Sequence, residues 1–218
     1  MIHRVYTQAK KSQLLTDLVV ATDDVRIYDH VIDFGGKAIM TGEEHQSGTS
    51  RCGEVIEKLP GFDVVINIQG DEPLVRPEQI DKVLALFNDP KIEIATVIKQ
   101  ITDSADITNE NRIKVVLDHK KNAIYFSRSG IPFVQWKLLS QWPEAIPYFK
   151  HIGIYAWRTS CLEKLLKLPP TELEKVESLE QLRWLFYGYK IATVETEIET
   201  PNVDVPEDVV NVIKALNG

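Results

Sequence analysis

Cysteine is almost absent from this chain. Cys52 and Cys161 stand far apart and without metal-ligand spacing, so neither a zinc site nor a disulfide framework is expected, and a reducing compartment fits best. No apolar run reaches the roughly 18 residues of a membrane span. The opening stretch MIHRVYTQAKKS has no apolar core of the kind a signal peptide carries, so a cytoplasmic location is expected and membrane insertion is not. No block of Lys and Arg interrupts a formal net charge of -7. That argues against nucleic acid as the main partner, because phosphate backbones are held by clustered cations. Small phosphorylated ligands stay open, since one or two placed basic side chains suffice for them. Internal repeats and low-complexity tracts are missing as well.

What is there is a folding composition: 218 residues, 44% hydrophobic and 26% charged, with 11 Gly and 11 Pro. It predicts one main domain with an insertion. In the first half, helical spacing over residues 1–13 is followed by the strand DLVVAT. A helix capped by Asp23-Asp24 then runs to Gly35-Gly36, and the strand KAIM comes next. The loop TGEEHQSGTS leads to a helix from about Arg51 to Leu59, the strand VVINI, a helix from Pro77 and the strand IEIATVIKQ. Such alternation implies a mainly parallel sheet covered by helices. From Ile113 the rhythm changes to strands without helices: IKVVLD and NAIYFSR around HKK, then KHIGIYAW, which suggests an antiparallel insertion. Helices return at 159–168 and about 172–187, followed by the strand KIATVETE and a helix from Pro206.

Three loops could carry chemistry. NIQGDEP follows a strand, where open α/β sheets bind ligands, and magnesium takes one or two carboxylates from a protein. Asp71 would suit it, although GDEP also reads as an ordinary turn. HQSGTSR offers small residues and hydroxyls for a base edge or an anion; equally, Thr49 or Ser50 caps the next helix and His45 is solvated. In PNVDVPEDV, Glu207 and Asp208 suit a first helical turn, whereas Asp204 precedes it and could converge with Asp71 on one metal ion. In the insertion, Arg128 could fork onto a carboxylate or phosphate, or form a surface ion pair. His151 and Tyr155, four apart, share one face if the segment is an extended strand, or are simply a satisfied polar residue and a core tyrosine. VESLEQLRW places Glu177, Glu180 and Gln181 on adjacent helical faces, by default a charged surface helix.

Taken in order, EHQSGTSR, NIQGDEP, YFSRSGIP, HIGIYAW, LEKVESLEQLRW and NVDVPEDV resemble the 3-deoxy-manno-octulosonate (Kdo) cytidylyltransferases over essentially the whole chain. The resemblance implies an α/β, Rossmann-like nucleotidyltransferase sheet, mostly parallel, with a smaller antiparallel insertion and dimerisation subdomain. It implies a nucleotide-binding core of residues 1–112 and 186–218 and a sugar-binding, dimerising segment of 113–185. CTP and Kdo would be the substrates, magnesium the cofactor and CMP-Kdo, for lipopolysaccharide, the product, made by a homodimer. Asp71 and Asp204 would hold the metal. Gln69 and the loop His45, Gln46, Ser47, Gly48 and Thr49 would bind cytidine. Arg128, His151, Tyr155, Glu180 and Gln181 would bind the sugar, with Asn202 near the metal. Family members open on a strand and a loop of the type IPARYxSTRLPGKPL, whose Arg and Lys hold the triphosphate. Nothing like it occurs here, so about two dozen residues of the family pattern are missing, through a start codon placed too late, a truncation or an omitted segment, the first or last of these being expected. A chain without them would lack a central strand and much of its triphosphate clamp. The rival readings are a transferase for another acidic sugar, such as a sialic acid cytidylyltransferase, and an inactive sugar-binding or assembly module.

Overall fold

The computed structural model describes residues 1–198 and 212–213. Asn202, Asp204 and most of the helix expected from Pro206 fall outside the described residues.

Local sequence sets the elements. Helix α1 (Ile2–Ala9) buries Val5, Tyr6 and Ala9 on one stripe. Strand β1 (Val20–Thr22) leads into α2 (Val25–Asp33), whose cap Asp24 accepts the Arg26 N–H; Gly35, at φ 76°, takes the left-handed position just past the helix end. Strand β2 (Ala38–Met40) pairs in parallel with β1. Helix α3 (Gly48–Lys58) begins three residues earlier than its apolar pattern predicts, because Ser47 rather than Thr49 or Ser50 is the cap and accepts the Ser50 N–H. Strand β3 (Val64–Asn67), helix α4 (Pro77–Ala85) with proline in its first turn, and strand β4 (Ile94–Ile101) follow as read. After the short α5 (Ser104–Thr108) come the hairpin β5 (Lys114–Leu117) and β6 (Ala123–Ser127), then α6 (Trp142–Ala145) and the long β7 (Tyr148–Arg158). The chain continues through α7 (Thr159–Leu165), α8 (Glu172–Glu177) and α9 (Gln181–Phe186) to β8 (Ala192–Glu195). The expected single helix over 172–187 is two helices, broken where Ser178 turns to φ 52°.

One strand organises the main sheet. β7 runs antiparallel to β3, β4 and β5, so those three share a direction, and β8 joins them parallel to β4. The mainly parallel core is thus present with a reversed strand through its middle. That strand belongs to the segment 113–185 read as a subdomain. The segment therefore forms no sheet of its own: β5 and β6 extend the same sheet, and β7 is its spine. β3 and β5 use the same edge of β7 at different levels. β5 pairs with Phe149 and Lys150, and β3 pairs with Tyr155 to Arg158. Residues 152–154 lie between them. On the other edge the register with β4 jumps from Thr96–Tyr155 to Val97–Ile152, leaving Gly153 and Ile154 without partners there. A bulge at a split between strands is where an open α/β sheet leaves a crevice.

Aromatic packing stiffens the ground beneath that crevice. Trp157 and Trp184 are fully buried and cross edge-to-face at 5.7 Å, and Tyr155 meets Trp184 at 5.1 Å. A separate apolar cleft of about 420 Å3 lies between β1 and β3, walled by α1 and α3. Among the described residues no helix is long and apolar enough to cross a membrane.

Candidate active site

Over the split in the sheet opens a polar cavity of about 680 Å3. Its walls come from sequence segments more than 100 residues apart: the loop before α3, the loop after β3, the β5 entrance, β7 and the start of α9. Two glycines permit the approach. A Cβ on Gly153 would sit 3.2 Å from Glu72 Oε1 and 3.8 Å from Gln69 Nε2, and one on Gly48 would meet Asn67 Nδ2 at 2.4 Å. Gln69 and the buried Glu72 therefore lie against the bulge of β7, and Asp71 lines the same cavity.

Of the expected cytidine loop, Gln46, Ser47, Gly48 and Thr49 line the cavity. His45 does not. It is neither solvated nor directed to the site: its Nε2 donates to Glu54 Oε2 at 2.5 Å, inside the loop's own fold. Lys58, the Gly42 N–H and His45 together hold the Glu54 carboxyl down at about 2. Nor is Thr49 simply a helix-start residue. Its hydroxyl donates to Glu180 Oε2 at 2.6 Å, and Ser47 Oγ donates to Glu180 Oε1 at 3.3 Å. This ties the first wall to the expected sugar wall.

Glu180 and Gln181 do face the cavity, but the break at Ser178 separates them from Glu177. Glu177 turns inward instead, accepting from Ser127 Oγ at 2.6 Å and from the Arg128 N–H at 2.9 Å. Arg128 lines the cavity with part of its donor set already used: Nε donates to the Glu177 carbonyl at 2.8 Å and Nη1 to that of Glu110 at 3.1 Å. Among the described residues Nη2 and the second hydrogen of Nη1 have no hydrogen-bond partner, and the fixed guanidinium fork could offer them to an oxyanion.

Burial decides the charge states on the wall formed by β7 and the start of α9. The rings of His151 and Tyr155 lie 4.9 Å apart. Desolvation lowers His151 to about 3 and raises Tyr155. Both are neutral across the physiological range. Burial also raises Glu180, opposed by the hydrogen bonds from Thr49 and Ser47. A carboxyl raised on folding is no burden below its unfolded value of about 4.3 and costs stability as pH climbs through its folded value. Glu180→Gln is therefore expected to gain stability relative to the parent as pH rises from 4 to 8, measured by urea unfolding at each pH. A flat difference would contradict the buried-carboxylate reading.

Three cationic or amide walls went unread in the sequence. Asn111 and Arg112, in the turn before β5, line the cavity, and so does Lys150, which is 4% exposed and pairs in register with the fully buried Lys114. The visible signal was the position of Lys150, directly before His151 in a strand whose residues are otherwise mostly apolar or aromatic. Asn202 and Asp204 are outside the described residues, so their convergence with Asp71 is not seen.

The cavity sets amide and hydroxyl groups with helix-start N–H groups on one side and buried polar side chains on the other, with carboxylates between. A cytidylyltransferase family model matches residues 1–191. A 3-deoxy-manno-octulosonate cytidylyltransferase of Parabacteroides distasonis is 46% identical over 95% of this chain and 84% of its own. One of Fusobacterium nucleatum is 47% identical over 100% of this chain and 87% of its own. A solved CMP:2-keto-3-deoxy-manno-octonic acid synthetase complexed with CTP superposes with a TM-score of 0.92 at 39% identity, covering 99% of this chain and 87% of that one. A glucose-1-phosphate thymidylyltransferase of Bacillus anthracis, at 14% identity and a TM-score of 0.65, shares the fold alone. This chain belongs to the cytidylyltransferase family.

Proposed function

We propose that the protein transfers CMP from CTP to the anomeric hydroxyl of Kdo and releases pyrophosphate, supplying activated Kdo for lipopolysaccharide in the cytoplasm. The observation that carries this reading is the single cavity that gathers Gln46 to Thr49, Gln69 and Asp71 against Arg128, His151, Tyr155, Glu180 and Gln181. Likeness to relatives named for this reaction, at about 46% identity, supports the choice of nucleotide and sugar.

The sugar oxygen attacks the α-phosphorus in line, the bond to pyrophosphate breaks, and charge accumulates on the phosphoryl oxygens, so positioning and cations do most of the work. Asp71 fits a divalent cation: it is a hard oxygen ligand on the loop at the carboxyl end of β3, beside a second carboxylate, at the cavity wall. Asp71, with Asp204, would hold magnesium, which when bound screens phosphate charge and lowers the pKa of the attacking hydroxyl. Arg128 offers its remaining guanidinium hydrogens to the sugar carboxylate. The neutral His151 and Tyr155 and the Glu180–Thr49 bond set the sugar against the nucleotide loop.

The test is pyrophosphate release from CTP with Kdo and magnesium, against sialic acid and other nucleotides as competitors. Turnover confined to CTP and Kdo is expected. Turnover with sialic acid instead of Kdo would favour the rival acidic-sugar transferase, and absence of CTP binding by calorimetry would favour an inactive module.

The homodimer belongs to the same proposal. Phe133, Trp136 and Leu138, on the segment between β6 and α6, are 76%, 91% and 73% exposed. Such a run of large apolar side chains suits an interface with a second copy. Light scattering should find a dimer, and Trp136→Asp should shift it to monomer; a parent that is monomeric at micromolar concentration would contradict this.

A further inference from the structure

Thr96 lies in the middle of β4, fully buried, with no place in the chemistry described so far. Its hydroxyl sits 2.7 Å from the carbonyl oxygen of Ile154 and 3.0 Å from Nε2 of His151. Ile154 is one of the two bulge residues that have no register partner on β4, and it is itself fully buried. A buried main-chain carbonyl needs a donor, and here the donor is the threonine hydroxyl. A hydroxyl carries one hydrogen. With that hydrogen given to Ile154, the oxygen can only accept from the histidine, so Nε2 of His151 bears the ring proton. Nδ1 is then the remaining polar atom of a ring that lines the cavity, and it carries a bare lone pair. No other hydrogen bond engages it among the described residues.

We infer that Thr96 is a positioning residue: by spending its proton on the β7 bulge it locks His151 in the Nε2–H tautomer, so that Nδ1 accepts a hydrogen bond from a substrate hydroxyl. The bulge and the binding group are one device. The same backbone irregularity that opens the crevice creates the unpaired carbonyl that dictates the histidine's proton. A polyol presents a donor wherever it presents a hydroxyl, whereas a deoxy analogue leaves Nδ1 without its partner in the complex and is bound more weakly. The tautomer follows from geometry alone. That the donor is a hydroxyl of the sugar rests on the function proposed above.

Two measurements test the inference separately. Nitrogen NMR of the full chain carrying 15N-histidine, at pH 7, reads the tautomer of His151 directly. The parent should show a neutral ring with the proton on Nε2, Thr96→Ser should keep it, and Thr96→Val should yield a mixture of tautomers. Steady-state kinetics should show KM for Kdo raised about tenfold in Thr96→Val, the cost of one misdirected buried hydrogen bond. KM for CTP should stay within about twofold, and Thr96→Ser should restore the parent values. A proton on Nδ1 in the parent protein overturns the inference, and that spectrum needs neither a variant nor turnover. So does a Thr96→Val protein in which tautomer and KM for Kdo are both unchanged, or one in which the KM values for both substrates rise together. A parent protein that leaves Kdo unreacted while showing the Nε2–H tautomer would count against the proposed substrate and leave the locking role of Thr96 supported.

Discussion

Asp71→Ala is expected to lower CMP transfer about a thousandfold while leaving the unfolding midpoint within a few degrees of the parent. A cation that stabilises developing phosphoryl charge contributes several kcal/mol to the transition state, and each 1.36 kcal/mol is a factor of ten in rate. The fold should tolerate the change because Asp71 stands in a turn at the end of β3, outside all three apolar clusters. Raising magnesium should not restore the variant. Near-normal turnover, or a loss of activity that tracks a loss of fold, would remove Asp71 from the metal site.

Trp157→Ala should have the largest effect on stability, about 3–5 kcal/mol, read as a lowered urea midpoint at unchanged slope. The side chain is fully buried, stacks on Tyr155 at 5.8 Å and crosses Trp184 at 5.7 Å. It also lies in the stretch of β7 that pairs with β3 on one side and β4 on the other. Against a usual folding margin of about 5–15 kcal/mol, such a loss is severe. Because Tyr155 rests on this ring, the surviving folded fraction should also bind the sugar more weakly. A cost below about 1 kcal/mol would mean that the aromatic stack is not what supports the cavity floor.

Elements announced by local chemistry were legible in the sequence. Asp24 as a cap, Gly35 past a helix end and Pro77 in a first turn all depend on groups a few residues apart, and the structure has each of them. The loops were legible too, since strand ends in an α/β sheet project over the crevice, and Gln46 to Thr49, Gln69 and Asp71 meet there. What depends on long-range contact was not. That β7 would run through the core rather than an outlying subdomain is decided by pairing with strands about 90 and 60 residues away in sequence. His45 leaves the expected set because Glu54, nearly two turns into α3, reaches it first. Glu177, the last residue of α8, parts from Glu180 and Gln181 because Ser178 adopts a left-handed conformation that nothing in VESLEQ signals. Lys150 went unread because, despite its place beside His151, a buried lysine in a strand looks like an exposed one until its neighbours are known.

The decisive measurement is a crystal of the protein grown with CTP and manganese, which reports the metal by its anomalous scattering. Coordination by the Asp71 carboxylate, about 2.1 Å from the ion, is expected, with the nucleotide against Gln46 to Thr49 and a second carboxylate from the segment that holds Asp204. An ion bound elsewhere, with Asp71 turned away from the nucleotide, would contradict the proposed chemistry of the site.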